Sequence, residues 1–440
     1  MEQLLQVDPT GTPAGNATPF WRSPASWLIE KKLSRGFWIF FSVAFFFDFG
    51  FAVYFFLFNL YLLDLHFNER AMGLIGGALT LGSVAGTLPV GMLARRFGLR
   101  PLLAICFVAA PLMGLLRATI VWEPAQIGLA FFAGLAMCIW GVCFLPAVAR
   151  LTTEENRASA FALIFSVSIG TSALGGLICG YLPQWLLAAG FSMEPAQVKR
   201  LILMAACAIA ALGLIPLLAL RLPLQTNEPS EPAKSWRQIR KPHPFLIRFL
   251  PSMALWSAVL VSFTPFANVY LSHDLKIDLP KIGIIFSVAQ IAQFCMGLLT
   301  PVIFRRMGLV NGIVATQVAT AAAMACLAGT HNAGLAVALY LGFSATQWMS
   351  SPGLYNLLMS RMPDSERGSA AAATLFCNAL LQSAATAIAG ILFARFGHPR
   401  VLLGIAGLAL TTALLFKLLV APADDRSPIE PHTGHSGSFV

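Results

Sequence analysis

The sequence has 440 residues, of which 57% are hydrophobic and only 11% are charged, and its formal net charge is +10. Soluble domains carry about a quarter charged residues, so water is not the main solvent for this chain. The basic residues lie in short connections between apolar stretches, which is typical of membrane orientation and argues against nucleic acid as a partner.

The first part of the chain is polar and precedes any long apolar stretch. We expect a cytoplasmic amino-terminal segment over 1–36, without a cleavable signal peptide. Ser23 and Pro24 suit the start of a short interfacial helix within it.

Twelve apolar stretches follow, each close to the ~20 residues that span a bilayer as a helix. The predicted fold class is therefore an all-α membrane protein with twelve transmembrane helices. The long polar stretch 221–246 is interpreted as a cytoplasmic linker between two six-helix bundles over 37–220 and 247–420. The tail 421–440 is polar and is expected to be disordered.

Two short motifs recur at one spacing and indicate an internal duplication. The run ARRFGL at 94–99 returns as FRRMGL at 304–309, and NRASA at 156–160 returns as ERGSA at 366–370. Both offsets are 210 (304 − 94 and 366 − 156). A duplicated apolar half is typical of secondary transporters, in which the substrate site lies between the halves.

Charge and glycine patterns predict orientation and contact surfaces. Most of the 29 Lys and Arg residues lie on one side if both termini are cytoplasmic, so we predict that orientation, in a bacterial inner (plasma) membrane. Helices 2 and 5 are rich in glycine, which favours close packing against the other half. The molecule is expected to be a monomer.

The loop after helix 2 carries a family motif. It reads GMLARRFGLR over 91–100 and resembles the loop motif of the major facilitator superfamily, with matches at Gly91, Arg96, Gly98 and Arg100. The resemblance implies two six-helix bundles that alternate access to one central site. Arg95 stands where the family has an acidic residue that helps to latch the halves near helix 11.

The substitution at Arg95 suggests latches of swapped charge. Acidic residues precede helices 11 and 5, where they also suit the positive helix start. The alternative is a set of solvated charges that only set orientation, since exposed pairs are individually weak. The proposed latches join Arg95 or Arg96 to Asp364 or Glu366, and Arg305 or Arg306 to Glu154 or Glu155.

Asp48 is the acidic residue placed deepest in a predicted helix. It lies ~16 Å along helix 1 from Phe37, at 1.5 Å per residue. A charged carboxylate at such depth costs ~2.5–3.5 kcal/mol, so it usually faces a cavity, a partner or a proton. We expect Asp48 to bind substrate and to carry the coupled proton; the alternative is a structural, hydrogen-bonded acid.

The resemblance implies that helices 1, 4, 7 and 10 line the central cavity, and polar residues of helices 8 and 11 extend it. Mid-span aromatic residues have packing as their alternative role. Arg117 is expected to extend to the membrane surface, which leaves no base in the cavity. The expected substrate-binding residues are Asp48, Phe51, Phe55, Asn59, Trp140, Phe144, Trp256, Thr264, Asn268, Gln290, Gln293, Tyr340, Ser344, Gln347, Ser351, Asn378 and Gln382.

Aromatic rings and a single acid favour a small amphipathic solute, neutral or cationic. In helix 5 the run 171–176 keeps the final Gly175 and Gly176 of the family's antiporter signature but not its Gly-Pro, and this partial resemblance favours export, with Asp48 expected to couple it to protons. The alternatives are uptake or facilitated diffusion of a nutrient or metabolite, and a lipid carrier. A membrane enzyme or receptor is not expected, and neither is a metal or another cofactor. The expected partners are the solute, the proton and the lipid bilayer.

Overall fold

A computed structural model of the chain describes residues 33–190, 193–220, 243–330, 332–363 and 366–420. The expected interfacial helix near Ser23, most of the expected linker and the tail 421–440 lie outside the described residues. Within the described ranges the regular secondary structure is helical.

Twelve helical segments follow one another, and eleven of those described are long and apolar enough to cross a membrane. The tenth is divided into two shorter helices. The sequence-based fold class is confirmed. The segments are α1 (Arg35–Asp64), α2 (Glu69–Phe97), α3 (Leu99–Thr119), α4 (Glu123–Arg150), α5 (Glu154–Ala188), α6 (Pro195–Leu212 and Leu214–Ala219), α7 (Pro244–Phe263, a 3₁₀ turn Thr264–Phe266, and Ala267–His273), α8 (Leu279–Met307), α9 (Leu309–Gly329), α10 (Ala333–Gln347 and Ser350–Arg361), α11 (Arg367–Phe396) and α12 (His398–Leu419).

Polar side chains mark where several helices begin. The amide of Phe37 donates to Ser34 Oγ at 3.1 Å, and the amide of Ala71 donates to Asn68 Oδ1 at 3.0 Å. Each bond satisfies an amide that has no partner within its helix. The local sequence therefore determines where α1 and α2 begin.

Proline explains the interruptions in α6, α7 and α10. Proline has no N–H and its ring meets the carbonyl four residues earlier, which kinks or breaks a helix at that point. Pro216 and Pro352 lie four residues after Leu212 and Trp348, where α6 and α10 are interrupted. Pro265 lies inside the 3₁₀ turn that interrupts α7.

The two halves of the chain repeat one packing pattern. In the first half, α1 packs against α5 and α6, and α2 packs against α4. In the second half, α7 packs against α11 and α12, and α8 packs against α10. Helices that hold the same place in the two halves therefore make the same contacts, as a duplicated bundle requires.

A glycine turn accounts for the recurring loop motif. Gly98 ends α2 with a φ of +85°, and Gly308 ends α8 with a φ of +80°. Only glycine adopts such angles without a steric cost, so each turn needs that residue. The two glycines are 210 positions apart (308 − 98), the offset found in the sequence.

The bundles meet where α2 crosses α11 and where α5 crosses α8. A Cβ added to Gly73 would lie 2.7 Å from the Cα of Gly390, and one added to Gly283 would lie 3.0 Å from the Cα of Gly180. The offset of 210 relates one crossing to the other: Gly73 corresponds to Gly283, and Gly180 corresponds to Gly390 (283 − 73 and 390 − 180). Glycine thus permits two equivalent close approaches of backbone, as the glycine pattern predicted.

Hydrogen bonds join the bundles near one side of the molecule. We call the side where α1 begins and α12 ends the terminal side, and the opposite side the far side. Each described hydrogen bond between the bundles lies in the helix portions nearer the far side. The interface is therefore closed at the far side, and the space between the bundles opens toward the terminal side.

Candidate functional site between the bundles

A cavity of about 480 Å³ lies between the bundles, below the closed far side. Its volume is within the ~300–1,000 Å³ typical of small-molecule sites. Helices of both halves line it, which places it on the duplication axis. Among the residues expected from the sequence, the cavity is lined by Phe55, Asn59, Thr264, Asn268, Gln290, Gln293, Tyr340, Ser344 and Gln347.

Two asparagines join the bundles at the far end of this cavity. Asn59 Nδ2 donates to the carbonyl of Pro265 at 2.6 Å, and Asn268 Nδ2 donates to the carbonyl of Phe56 at 2.9 Å. Each asparagine thus bonds the backbone of the other bundle. Because Pro265 lies in the 3₁₀ turn of α7, the break in that helix presents the carbonyl that Asn59 uses.

The second bundle supplies a connected wall of polar side chains. Gln293 Nε2 donates to Ser344 Oγ at 2.7 Å, and Thr264 Oγ1 donates to Gln347 Oε1 at 3.2 Å. These bonds join α8, α10 and α7, so the cavity side chains have set positions before a ligand arrives. Tyr340 lies among them, with its ring 5.8 Å from the ring of Phe286.

Arg117 lies in the cavity wall, contrary to the expectation that it reaches the membrane surface. Arg117 is only 3% exposed, and its guanidinium lies over the ring of Phe58, 4.2 Å from the ring centroid. The last turn of α3 is covered by α1 and α4, and Gln126 Nε2 donates to the Arg117 carbonyl at 2.6 Å. The side chain consequently has no path outward, and the prediction of a cavity without a base was wrong.

Asp48 lies beside the cavity rather than in its wall. It is half-buried between α1, α4 and α5, and its carboxylate accepts a short hydrogen bond from Ser168. The Trp140 indole is its second polar neighbour. Ala52 and Ser172, one turn farther along the same helices, do line the cavity. Asp48 is therefore one helical turn from the cavity, on its open, terminal side.

The expected aromatic residues of α1 and α4 form a packed cluster instead of a cavity wall. The Trp140 ring lies 4.6 Å from that of Phe47 and 5.0 Å from that of Phe144. Phe51 is buried against Phe47 at 4.7 Å. Contacts between aromatic rings on neighbouring helices are more favourable in free energy than exposure of those rings to the cavity. This cluster therefore forms the core of the first bundle.

The remaining four expected residues also lie outside the cavity wall. Trp256 is 1% exposed in the core of the second bundle. The Asn378 carbonyl accepts a hydrogen bond from Ser257 at 3.3 Å, which joins α11 to α7. Ser351 follows the break in α10, and Gln382 is half-buried on α11.

Several cavity residues carried no recognisable signal in the sequence. Gly76, Thr80, Ser172 and Thr386 line the cavity from α2, α5 and α11. Small and hydroxyl residues are common along packed membrane helices, so their side chains did not distinguish a cavity from a helix contact. Only the crossing of α2 with α11 and of α5 with α8 brings them to the wall.

The proposed latch groups lie on the open, terminal side. Arg95, Arg96, Arg305, Arg306 and Glu366 are exposed, and no ion pair among the described residues joins those arginines to Glu366. Asp364 lies outside the described residues, as do the side chains of Glu154 and Glu155. Arg100 instead donates to the carbonyl of Leu218 at 2.5 Å, within the first bundle. The latches remain a prediction for a form closed on this side.

A second cavity, of about 540 Å³, lies outside the interface on α7, α11 and α12. Ser262 and Arg400 are the polar members of its wall, which is otherwise apolar. In the described ranges, no group of three His, Cys, Asp or Glu side chains is placed to hold a metal ion. The cavity between the bundles is therefore the candidate functional site.

Two equivalent bundles of apolar helices that enclose one cavity, open to a single side, define a multi-pass membrane transporter. The profile of the Major Facilitator Superfamily matches residues 40–386, and the chain belongs to that family. No curated protein sequence matches the chain significantly.

Solved structures share the fold at low sequence identity. A single-residue variant of the nucleoside transporter NupG is 16% identical, with coverage of 88% of this chain and 100% of that chain and a TM-score of 0.75. A bacterial homolog of the human lysosomal transporter Spinster, inward-facing and occupied, is 12% identical over 91% and 100% of the two chains, at 0.73. A D-xylose–proton symporter is 14% identical over 87% and 97%, at 0.69.

Proposed function

We propose that this transporter moves a small amphipathic solute through the cavity between the bundles by alternating access, with protons as the coupled ion. The observation that carries the proposal is the cavity between the bundles, closed on the far side by two glycine crossings and open on the terminal side. A second form with the reverse closure gives alternating access to one site.

The basic residues orient the molecule in this proposal. The terminal side carries Arg95, Arg96, Arg305 and Arg306 in its loops, so by the positive-inside rule it is cytoplasmic. The described form is then inward-facing, in a bacterial inner membrane. The latches of swapped charge belong to the outward-facing form, in which these loops approach the starts of α5 and α11.

The wall of the cavity favours an amphipathic solute. Amide groups of Gln290 and Gln293 offer both hydrogen-bond donors and acceptors, whereas Phe55 and Phe286 offer apolar surface. Arg117 argues against the cationic alternative, because like charges repel in a poorly hydrated cavity.

Asp48 is the group that we propose for proton coupling. It lies one turn from the cavity on the open side, so solvent from the terminal side reaches it in this form. Protonation would weaken the hydrogen bond from Ser168, because a neutral carboxyl group is a poorer acceptor, and would change how α1 packs on α5. We propose export as the direction of transport, because α5 keeps Gly175 and Gly176 of the family's antiporter signature. Gly175 also packs against α1, and Gly176 against α8.

Flux measurements in proteoliposomes test this function. A panel of sugars, nucleosides, organic acids and cationic dyes is supplied under an imposed pH gradient, and accumulation is followed for the wild type and for Asp48→Asn. We expect the pH gradient to drive accumulation of one solute class in the wild type. Asp48→Asn should still exchange that solute across the membrane but should no longer accumulate it in response to the gradient. The proposal fails if no class shows gradient-driven flux, or if Asp48→Asn accumulates solute as the wild type does.

A further inference from the structure

The cavity wall contains a buried positive charge, that of Arg117. It occupies the last turn of α3, on the wall of the cavity, and its Nε has no hydrogen-bond partner. A buried guanidinium without a partner is costly, so such groups pair with an anion or with a row of acceptors. The ring of Phe58 compensates only part of that charge.

No carboxylate of the described chain supplies the missing partner. The ionisable groups that act on the Arg117 charge are the hydroxyl of Tyr54 and the thiol of Cys207, and side chains of these two types are ordinarily neutral at pH 7. Among the described residues, the cavity wall contains no Asp or Glu, and its other polar groups are amides and hydroxyls. The cavity wall therefore carries one positive charge that no carboxylate of the described residues balances.

The internal repeat shows that the fold itself does not need a base at this position. Helices α3 and α9 begin at Leu99 and Leu309, so the offset of 210 places Leu327 opposite Arg117 (117 + 210). Leu327 is 1% exposed and fills the equivalent place with an apolar side chain. The arginine is thus a departure from the repeat that occurs at the cavity.

We propose that the cavity selects a small amphipathic monocarboxylate, with Arg117 as the residue that binds the carboxylate. The guanidinium offers a planar, two-pronged donor that matches a carboxylate, while the aromatic wall receives the apolar part of the solute. This inference rests on the proposed function, because it names the solute class of the same site.

Matched ligand series test the charge preference directly. Benzoate, benzamide and benzamidinium share one shape and differ in charge, and so do hexanoate, hexanamide and hexanamidinium. Binding is measured by calorimetry and by thermal stabilisation of the full chain in detergent. We expect an acid to bind at least about tenfold more tightly than its amide, and the amidinium to bind more weakly than both. Equal or reversed preference, or no binding by either acid, overturns the proposal.

Variants separate a binding role from a structural one. Arg117→Lys keeps a charge and is expected to keep the order acid over amide, whereas Arg117→Met is expected to remove it. Arg70→Gln deletes an exposed base of α2 and serves as the control. An arginine that only supports the fold would lower stability in Arg117→Met without changing the order of the ligands. If that variant does not fold, the wild-type series and Arg117→Lys still decide.

The same preparations distinguish this inference from the proposed function. Preferred binding of an acid without flux in proteoliposomes would remove transport and leave the charge preference intact. Gradient-driven flux of a neutral or cationic solute, with no preference for acids, would leave transport intact and remove the role of Arg117.

Discussion

Asn59 and Asn268 occupy equivalent positions of the two bundles, and each donates to the backbone that the other's helix presents. They are 209 positions apart (268 − 59), and so are their acceptors, the carbonyls of Phe56 and Pro265 (265 − 56). The duplication thus places a symmetric pair of hydrogen bonds across the far side of the cavity. Opening the far side requires that both bonds break.

Removal of these amides should favour the opposite form. A hydrogen bond of this kind contributes about 0.5–1.5 kcal/mol net, so Asn59→Ala is expected to shift the equilibrium toward a far-side-open form by roughly 2–10-fold. The double variant Asn59→Ala/Asn268→Ala should shift it further. Spin labels on the far-side ends of α1 and α7 report the distance distribution.

Gln290→Ala is the matched control for the asparagine variants. It removes another cavity amide that makes none of these bonds between bundles. An equal shift in this control, or no shift in the double variant, would show that the asparagines do not hold the far side closed.

Gly390 should be intolerant of even one methyl group. A Cβ at this position would lie 2.4 Å from the carbonyl oxygen of Glu69, which is backbone and does not move aside. Overpacking of this kind costs about 1–3 kcal/mol, so Gly390→Ala is expected to depopulate the described form roughly 5–150-fold and to slow transport. Spin-label distances across α2 and α11 measure the shift.

Gly297→Ala provides the comparison, because nothing lies within 4 Å of its added Cβ. Its helix should gain up to about 1 kcal/mol from alanine, with transport retained. The packing explanation is abandoned if the two variants transport equally well.

Asp274 predicts a pH dependence of stability. Its carboxylate lies 2.8 Å from His398 Nδ1 and 3.1 Å from His273 Nδ1. Burial raises the pKa of Asp274, but the hydrogen bonds and charges of His398 and His273 lower it more, and the net pKa lies below its usual value. A lowered pKa in the folded state means that the carboxylate stabilises the fold above the unfolded value of ~4 and loses this effect on further acidification.

Thermal unfolding across a pH series checks this sign. Asp274→Asn should lower the Tm at neutral pH, and the gap to the wild type should narrow as the pH falls below ~4. Asp278→Asn is the control, since that carboxylate is 73% exposed and, among the described residues, its ion pair is with the neighbouring Lys281 at 3.4 Å. A constant gap at all pH values would exclude the linkage.

The charge-swapped latches predict a coupling that the described form does not show. In a double-mutant cycle with Arg95→Ala and Glu366→Ala, the population of the far-side-open form should depend on both residues together. Exposed pairs contribute about 0.2–1 kcal/mol, so the expected coupling is of that order. A coupling of zero within ~0.3 kcal/mol would reduce both residues to orienting charges.

Particular residues show how far the sequence predicted the site. Asn59, Asn268 and Tyr340 line the cavity as expected, because the family resemblance named the helices around the cavity, and depth and helical spacing located residues on α1, α7 and α10. Asp48 was expected beside them, yet it lies one turn outside the wall. One residue turns a helix by about 100°, so a small rotation of α1 decides which neighbours a side chain meets.

The sequence by itself determined the twelve helices, their duplication and the glycine crossings, because a bilayer fixes helix length and a repeated motif fixes equivalent turns. It did not determine which side chains share the cavity. Arg117 needed the tertiary structure: only the packing of α1 and α4 over the end of α3 closes its path to the surface and leaves its charge inside. Such enclosure depends on helix tilt and rotation, which are set by contacts between distant segments rather than by local pattern.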